Sequence, residues 1–160
     1  MTTASYNKWH GVDTPCPLCK NTGITQFHLI LECPITNEIW EDLTPVLIQI
    51  QPIPVTDEEK VFGILKNDPK TQLRNWLTFL LREVIIRQEL IAYHNKRGRT
   101  NIRDMKIYYN ARVQREVRQA QQIYTNIGRA DIFVRRYAPN NAFLTAREGR
   151  IEDEEIPLIF

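Results

Sequence analysis

Hydrophobic positions recur at intervals of three and four along most of this chain. Ile35, Ile39, Leu43, Val46, Leu47 and Ile50 form one such series, with Glu38, Glu41 and Asp42 between them. They predict an amphipathic helix, bent or broken near Pro45, whose ring removes an amide donor. In QPIPVTDEEKVFGI, residues 51–64, the two prolines read as a linker, and Thr56 or Asp57 then caps a short helix ending near Gly63. KNDPK, residues 66–70, reads as a turn.

The most apolar segment runs from Thr71 to about Asn95. Leu73, Trp76, Leu77, Leu80, Leu81, Val84, Ile85 and Ile91 line one helical face, and Phe79, Ile86, Leu90 and Tyr93 line a second. Two apolar faces predict the central, most buried helix. NKRGRTN, residues 95–101, interrupts it: Gly98 permits a left-handed cap, and Asn101 with Asp104 three residues on starts the next helix. There Ile102, Met105, Tyr109, Val113, Val117, Ala120, Tyr124 and Ile127 keep the 3–4 spacing over a length of roughly 39 Å at ~1.5 Å per residue. Its simplest partner is the 71–95 helix, packed antiparallel. The pattern therefore predicts a mainly α chain in three parts: a small cysteine-containing module at 1–40, a helical bundle with two long antiparallel helices at 41–138, and an acidic C-terminal tail at 139–160. That tail, ending in IEDEEIPLIF, is expected to be loosely docked or disordered.

With 160 residues, 42% hydrophobic and 25% charged, the chain is long enough to bury a core and too apolar for wholesale disorder. No apolar run approaches the ~20 residues that cross a bilayer, and MTTASYNKWHG lacks the apolar stretch of a secretory signal. The expected location is intracellular, nuclear or cytoplasmic, where thiols stay reduced, with no membrane partner.

The net charge of +2 conceals an asymmetry, because residues 96–136 carry 11 Lys and Arg against 3 Asp and Glu. Projected at ~100° per residue, Arg103, Arg112, Arg115, Arg118 and Arg129 fall opposite the apolar arc of the 102–127 helix, with Tyr108 among them and Arg97 and Arg99 just before it. Guanidinium groups suit bidentate phosphate recognition, and a tyrosine beside them suits base stacking. These arginines are the candidate contacts to RNA or DNA. A solvated or partner-facing helix and an anionic membrane surface are the competing readings.

CPLCKNTGITQFHLILEC, residues 16–33, holds all three cysteines of the chain and one of its three histidines. An odd number of thiols in so short a stretch does not make a disulfide framework. The spacing C-x2-C-x8-H-x4-C places Cys16, Cys19, His28 and Cys33 as candidate ligands of a tetrahedral Zn²⁺, and three thiolates with one imidazole leave no open position, so the site should be structural. An iron–sulfur cluster usually takes four cysteines, and three unliganded buried thiols would have no reason to gather in one segment. TQFHLILE reads as a short helix carrying His28; Pro34 biases Cys33 out of helical geometry and opens the next helix at its first position. His10 is near enough in sequence to compete as a ligand, whereas His94 reads as a helix-end residue.

CPLCKNTGITQFHLILECPITNEIW resembles the zinc-binding segment at the carboxyl end of reverse transcriptases of non-LTR (LINE-type) retrotransposons: a CPxC pair, a spacer, an HL pair, a cysteine followed by proline, and a tryptophan further on. Here those features fall on Cys16, Pro17, Cys19, His28, Leu29, Cys33, Pro34 and Trp40. The downstream EKVFGILK and the long apolar helix after it are also similar, although the specific likeness covers only residues 15 to about 40. The resemblance implies a CCHC zinc site and contact with template RNA or target DNA beside the polymerase portion of a retroelement protein. Nothing in the chain matches the YxDD motif of a polymerase, and NDPK at 67–70 is only a weak match to a restriction-like endonuclease, so no catalytic residue is expected. The rival expectation is a structural or protein-interaction module in which zinc only stabilises the fold.

Overall fold

A computed structural model describes residues 2–95, 102–146 and 156–160. Among them the chain is helical, with no strand. Helix α1 spans Thr3–His10; a single π-helical turn, His28–Glu32, leads into α2, Pro34–Ile50. Then come α3 (Asp57–Phe62), α4 (Pro69–His94), α5 (Ile102–Asn126) and α6 (Ala130–Tyr137), followed by a 3₁₀ turn at Pro139–Asn141.

The two long helices pack antiparallel, as the spacing predicts. Arg87 meets Tyr108, Glu83 meets Arg112 and Trp76 meets Glu116, so partners climb one helix as they descend the other. Leu73, Leu77, Leu80, Leu81, Val84 and Ile85 of α4 meet Met105, Tyr109, Val113 and Val117 of α5 in one core that also takes Ile39, Leu43, Leu47 and Ile50 of α2 and Phe133 and Tyr137 of α6. Tyr109 is fully buried and donates its hydroxyl to the carbonyl of Leu77 at 2.8 Å; burial pushes its pKa well up.

Three expectations are corrected. Of the bend or break expected at Pro45, the break does not occur, and helix α2 continues through that residue. A proline inside a helix costs ~3 kcal/mol, whereas fully burying Leu43, Leu47 and Ile50 on the same face returns ~1.5–3 kcal/mol each, so continuity wins. The second apolar face of α4 is not buried: Phe79, Ile86, Leu90 and Tyr93 are 38–49% exposed, because α2, α5 and α6 take up the other face. The KNDPK turn is a helix start, with Asp68 as N-cap accepting from the Thr71 amide and Pro69 at the first helical position.

Helix α1 has no apolar stripe and rests on polar contacts made far along the chain. The amide of Thr3 donates to the buried carboxylate of Glu89 at 2.9 Å, placing an anion at the positive end of α1. At the other end, Asn7 exchanges two hydrogen bonds with the backbone of Thr14 and so fixes the entry to the cysteine segment.

The final residues are docked rather than loose. Asn110 on α5 donates to the carbonyl of Phe160 and accepts from the amides of Ile159 and Phe160, while Ile156 is buried. The acidic stretch before them, residues 147–155, lies outside the described residues, as does the Gly98 and Asn101 break.

Candidate metal centre

The cysteine segment is built so that four side chains converge. Between Cys16 and Cys19 the chain makes a tight knuckle: the amide of Lys20 donates to the carbonyl of Cys16, and the amide of Cys16 donates to the carbonyl of Asn21, both at 2.8 Å. Closing it requires a left-handed residue, and Lys20 takes that conformation at φ +66°, its ammonium donating to the carbonyl of Pro17. Gly23 turns the chain out of the knuckle at φ +64°, its amide held by Asp13.

His28 opens the π-helical turn, and the amide of Cys33 closes it on the His28 carbonyl at 2.7 Å. The wider turn matters. It brings a residue five positions on back beneath the first, and such single π turns recur at functional sites. Cys33 then leaves helical geometry (φ −68°, ψ 122°) as the N-cap of α2, with Pro34 at the first helical position, as its sequence predicts. Thr36 braces this corner by donating its hydroxyl to the carbonyls of Leu29 and Cys33.

The outcome is a cluster in which one ligand atom each from Cys16, Cys19, His28 and Cys33 lies within 4.8 Å of the others. Nε2 of His28 is 3.2 Å from the sulfur of Cys19. Tetrahedral ligation at ~2.3 Å would hold sulfurs about 3.8 Å apart, so the donor set fits a four-coordinate cation with only small side-chain movement. On the outer side, Nδ1 of His28 faces Glu32 at 3.8 Å, and Thr25 donates to that carboxylate. Cys16 and Cys33 have no exposed surface, His28 is buried, and Cys19 alone is partly open. His10 is not part of the cluster: it is exposed and stacks on Tyr6.

The electrostatics are those of crowded thiols. The Cys16 thiol is pushed far above its usual range, first by its hydrogen bond to Cys33 and then by burial. The same bond lowers Cys33, helped by the amides of Thr36 and Ile35, while burial raises Cys19. The two buried sulfurs thus share a hydrogen bond, and a divalent cation binding between them would release protons.

The predicted arginine face is only partly available. Arg112 donates to Glu116 at 2.8 Å and to Glu83 at 2.9 Å, and its charge is spent within the fold. Arg129 is not on α5, which ends at Asn126; it precedes α6 and forms a two-pronged pair with Asp131. Tyr108 is taken by Arg87, which donates to its hydroxyl and lies over its ring. Arg103 is exposed in the first turn of α5 and engaged in an interaction of its own. Arg97 and Arg99 lie outside the described residues. Arg115 and Arg118 remain as exposed cations on the outer face of α5. Two further exposed arginines, Arg135 and Arg136, end α6; the basic count over 96–136 contained them, but no amphipathic series singled them out.

No protein-family model, curated protein or solved structure matches this chain.

Proposed function

We propose that this protein is a zinc-stabilised nucleic-acid-binding piece of the kind found at the carboxyl end of non-LTR retrotransposon reverse transcriptases, and that it acts by binding RNA or DNA and not by catalysis. The observation that carries the reading is the convergence of Cys16, Cys19, His28 and Cys33 in a CPxC, HL, CP context. A set of three thiols and one imidazole suits Zn²⁺ and fills all four of its positions, which assigns the ion a structural task. Arg115 and Arg118 on α5, with Arg135 and Arg136 on α6, supply the cationic surface for phosphate. The test joins native mass spectrometry, expected to find one zinc per chain, with binding of labelled oligonucleotides at 50 mM salt. Arg115→Glu with Arg118→Glu should weaken that binding and lower the slope of log K against log salt by about 2.

A second reading rests on a different observation. The stripe of Phe79, Ile86, Leu90 and Tyr93 is exposed along α4, and Phe62 and Leu65 are more exposed still. Apolar side chains left open along one helix face are candidates for contact with another protein. Absence of oligonucleotide binding at 50 mM salt from folded, zinc-loaded protein would put this reading in place of the first.

A further inference from the structure

The first two turns of α4, the last turn of α5 and helix α6 enclose a half-open recess of about 510 Å³. That volume lies within the ~300–1,000 Å³ of sites for small organic groups. Its apolar lining sets the rings of Trp76, Tyr124 and Tyr137 beside Leu73, Ile132 and Pro69, and the exposed residues Arg135 and Arg136 also line the recess. The aromatic wall is held in place. Trp76 meets Tyr137 edge to face with ring centroids 5.1 Å apart and donates its indole N–H to Glu116. Arg136 lies over Tyr137 at 5.4 Å. Tyr124 is half-buried, and among the described residues neither Asp nor Glu lines the recess.

Two amides complete the lining. Gln72 donates to the side-chain oxygen of Asn67 at 2.5 Å, which leaves the Asn67 NH₂ and the Gln72 carbonyl as an adjacent donor and acceptor. A flat heteroaromatic ring with an acceptor beside a donor along its edge answers both the aromatic wall and that pair. A ring of this kind linked to phosphate answers the arginines as well. Arg135 and Pro69 are shared with a second open recess that also holds Lys70. In the second recess Asp131 is already paired with Arg129, and Asp68 is occupied as the α4 cap.

Resting on the nucleic-acid reading and narrowing it, we infer that this recess receives one unstacked base of a single-stranded nucleic acid, with Arg135 and Arg136 gripping the adjoining phosphates. Duplex bases remain stacked and cannot enter, so the site selects single strands over double strands.

The test uses the full zinc-loaded chain and fluorescein-labelled single strands and duplexes of RNA and of DNA at 50 mM salt. Tyr124→Ala should weaken single-strand binding about tenfold, with duplex binding unchanged and Tyr124→Phe close to wild type, because stacking needs the ring and not the hydroxyl. Arg135→Ala with Arg136→Ala should weaken single-strand binding without the Tyr124 ring being touched. Melting by circular dichroism identifies any variant that fails to fold, and the arginine pair, being exposed, provides the readout if Tyr124→Ala does. Two results would overturn the inference while leaving the broader reading intact: wild-type affinity of all these variants for single strands that Arg115→Glu with Arg118→Glu no longer binds, or equal losses on single strands and duplexes. Absence of any nucleic-acid binding overturns both.

Discussion

Arg74 of α4 and Glu59 of α3 form a buried two-pronged pair, with Nε to Oε1 at 2.5 Å and Nη2 to Oε2 at 2.7 Å. Neither side chain reaches solvent: Arg74 is 0% exposed and Glu59 2%. The guanidinium also donates to the carbonyls of Gln51, Ile53 and Pro54 and, at 3.4 Å, of Leu47, so one side chain fastens the end of α2, the proline linker and α3 onto α4. Removing one member of a buried pair strands the other charge, at a typical cost of ~3–5 kcal/mol. Glu59→Gln should fall in that range by urea denaturation. Arg74→Met should cost more, because the carbonyls lose their donors too, and the double variant should not recover wild-type stability.

Metal removal should unfold more than the knuckle. Cys16, Leu18, Leu29 and Cys33 share one core with α2 and α4, and structural zinc contributes ~10–16 kcal/mol near neutral pH against a net stability of ~5–15 kcal/mol for a domain. Chelation, Cys16→Ser or His28→Ala should each collapse the cooperative melt seen by circular dichroism. Survival of a wild-type melt in metal-free, reduced protein would remove the structural role assigned to the cluster.

Acid should loosen the start of α4. The Asp68 carboxyl is held below its ordinary range, chiefly by the Thr71 hydroxyl and then by the Thr71 amide. A depressed carboxylate stabilises the fold above its unfolded pKa, and that stability is lost as pH falls through the lower, folded value. Asn caps without titrating. Wild type should therefore melt above Asp68→Asn at neutral pH, and the gap should close in acid below the ordinary carboxylate range. A gap that stays constant with pH would show that ionisation of Asp68 does not contribute.

The arginines of α5 should separate into two kinds. Arg112→Ala breaks a half-exposed network with Glu116 and Glu83 and should cost about 1 kcal/mol of stability. Its effect on oligonucleotide affinity should be small, whereas Arg115→Ala and Arg118→Ala should weaken binding without moving the melting temperature. The reverse pattern would place the phosphate contacts on the other face of the helix.

Asn110→Ala should free the 156–160 segment. One side chain makes three hydrogen bonds to it, and Phe160 also packs on Tyr109 at 5.2 Å. Loss of three bonds at ~0.5–1.5 kcal/mol each should reduce stability and expose the segment to carboxypeptidase, read by intact mass.

What could be read in advance was local. The cysteines lie close together in the chain and Pro34 forces the geometry of Cys33, so the cluster follows from neighbouring residues. The apolar series of α2, α4 and α5 encode their own buried faces in the same way, apart from Ile91 and Ile127, which are exposed. Helix α1 was not legible, because the group that receives its N-terminus, Glu89, is 86 residues away. Nor was Arg74, a cation inside an apolar series whose partners come from three other segments. The arginine series of α5 showed which way its side chains face but not which of them a carboxylate on α4 would neutralise. The second series on α4 was real as periodicity, yet periodicity does not tell a face that meets another helix from one left open.

Only the Cys19 corner of the cluster borders solvent, while the other two sulfurs lie beneath protein. An alkylating agent or oxidant therefore meets one thiol first, and it is the one beside the imidazole of His28. Chemical damage would proceed in sequence from that corner, and the condition of a single side chain would decide how long the whole centre lasts.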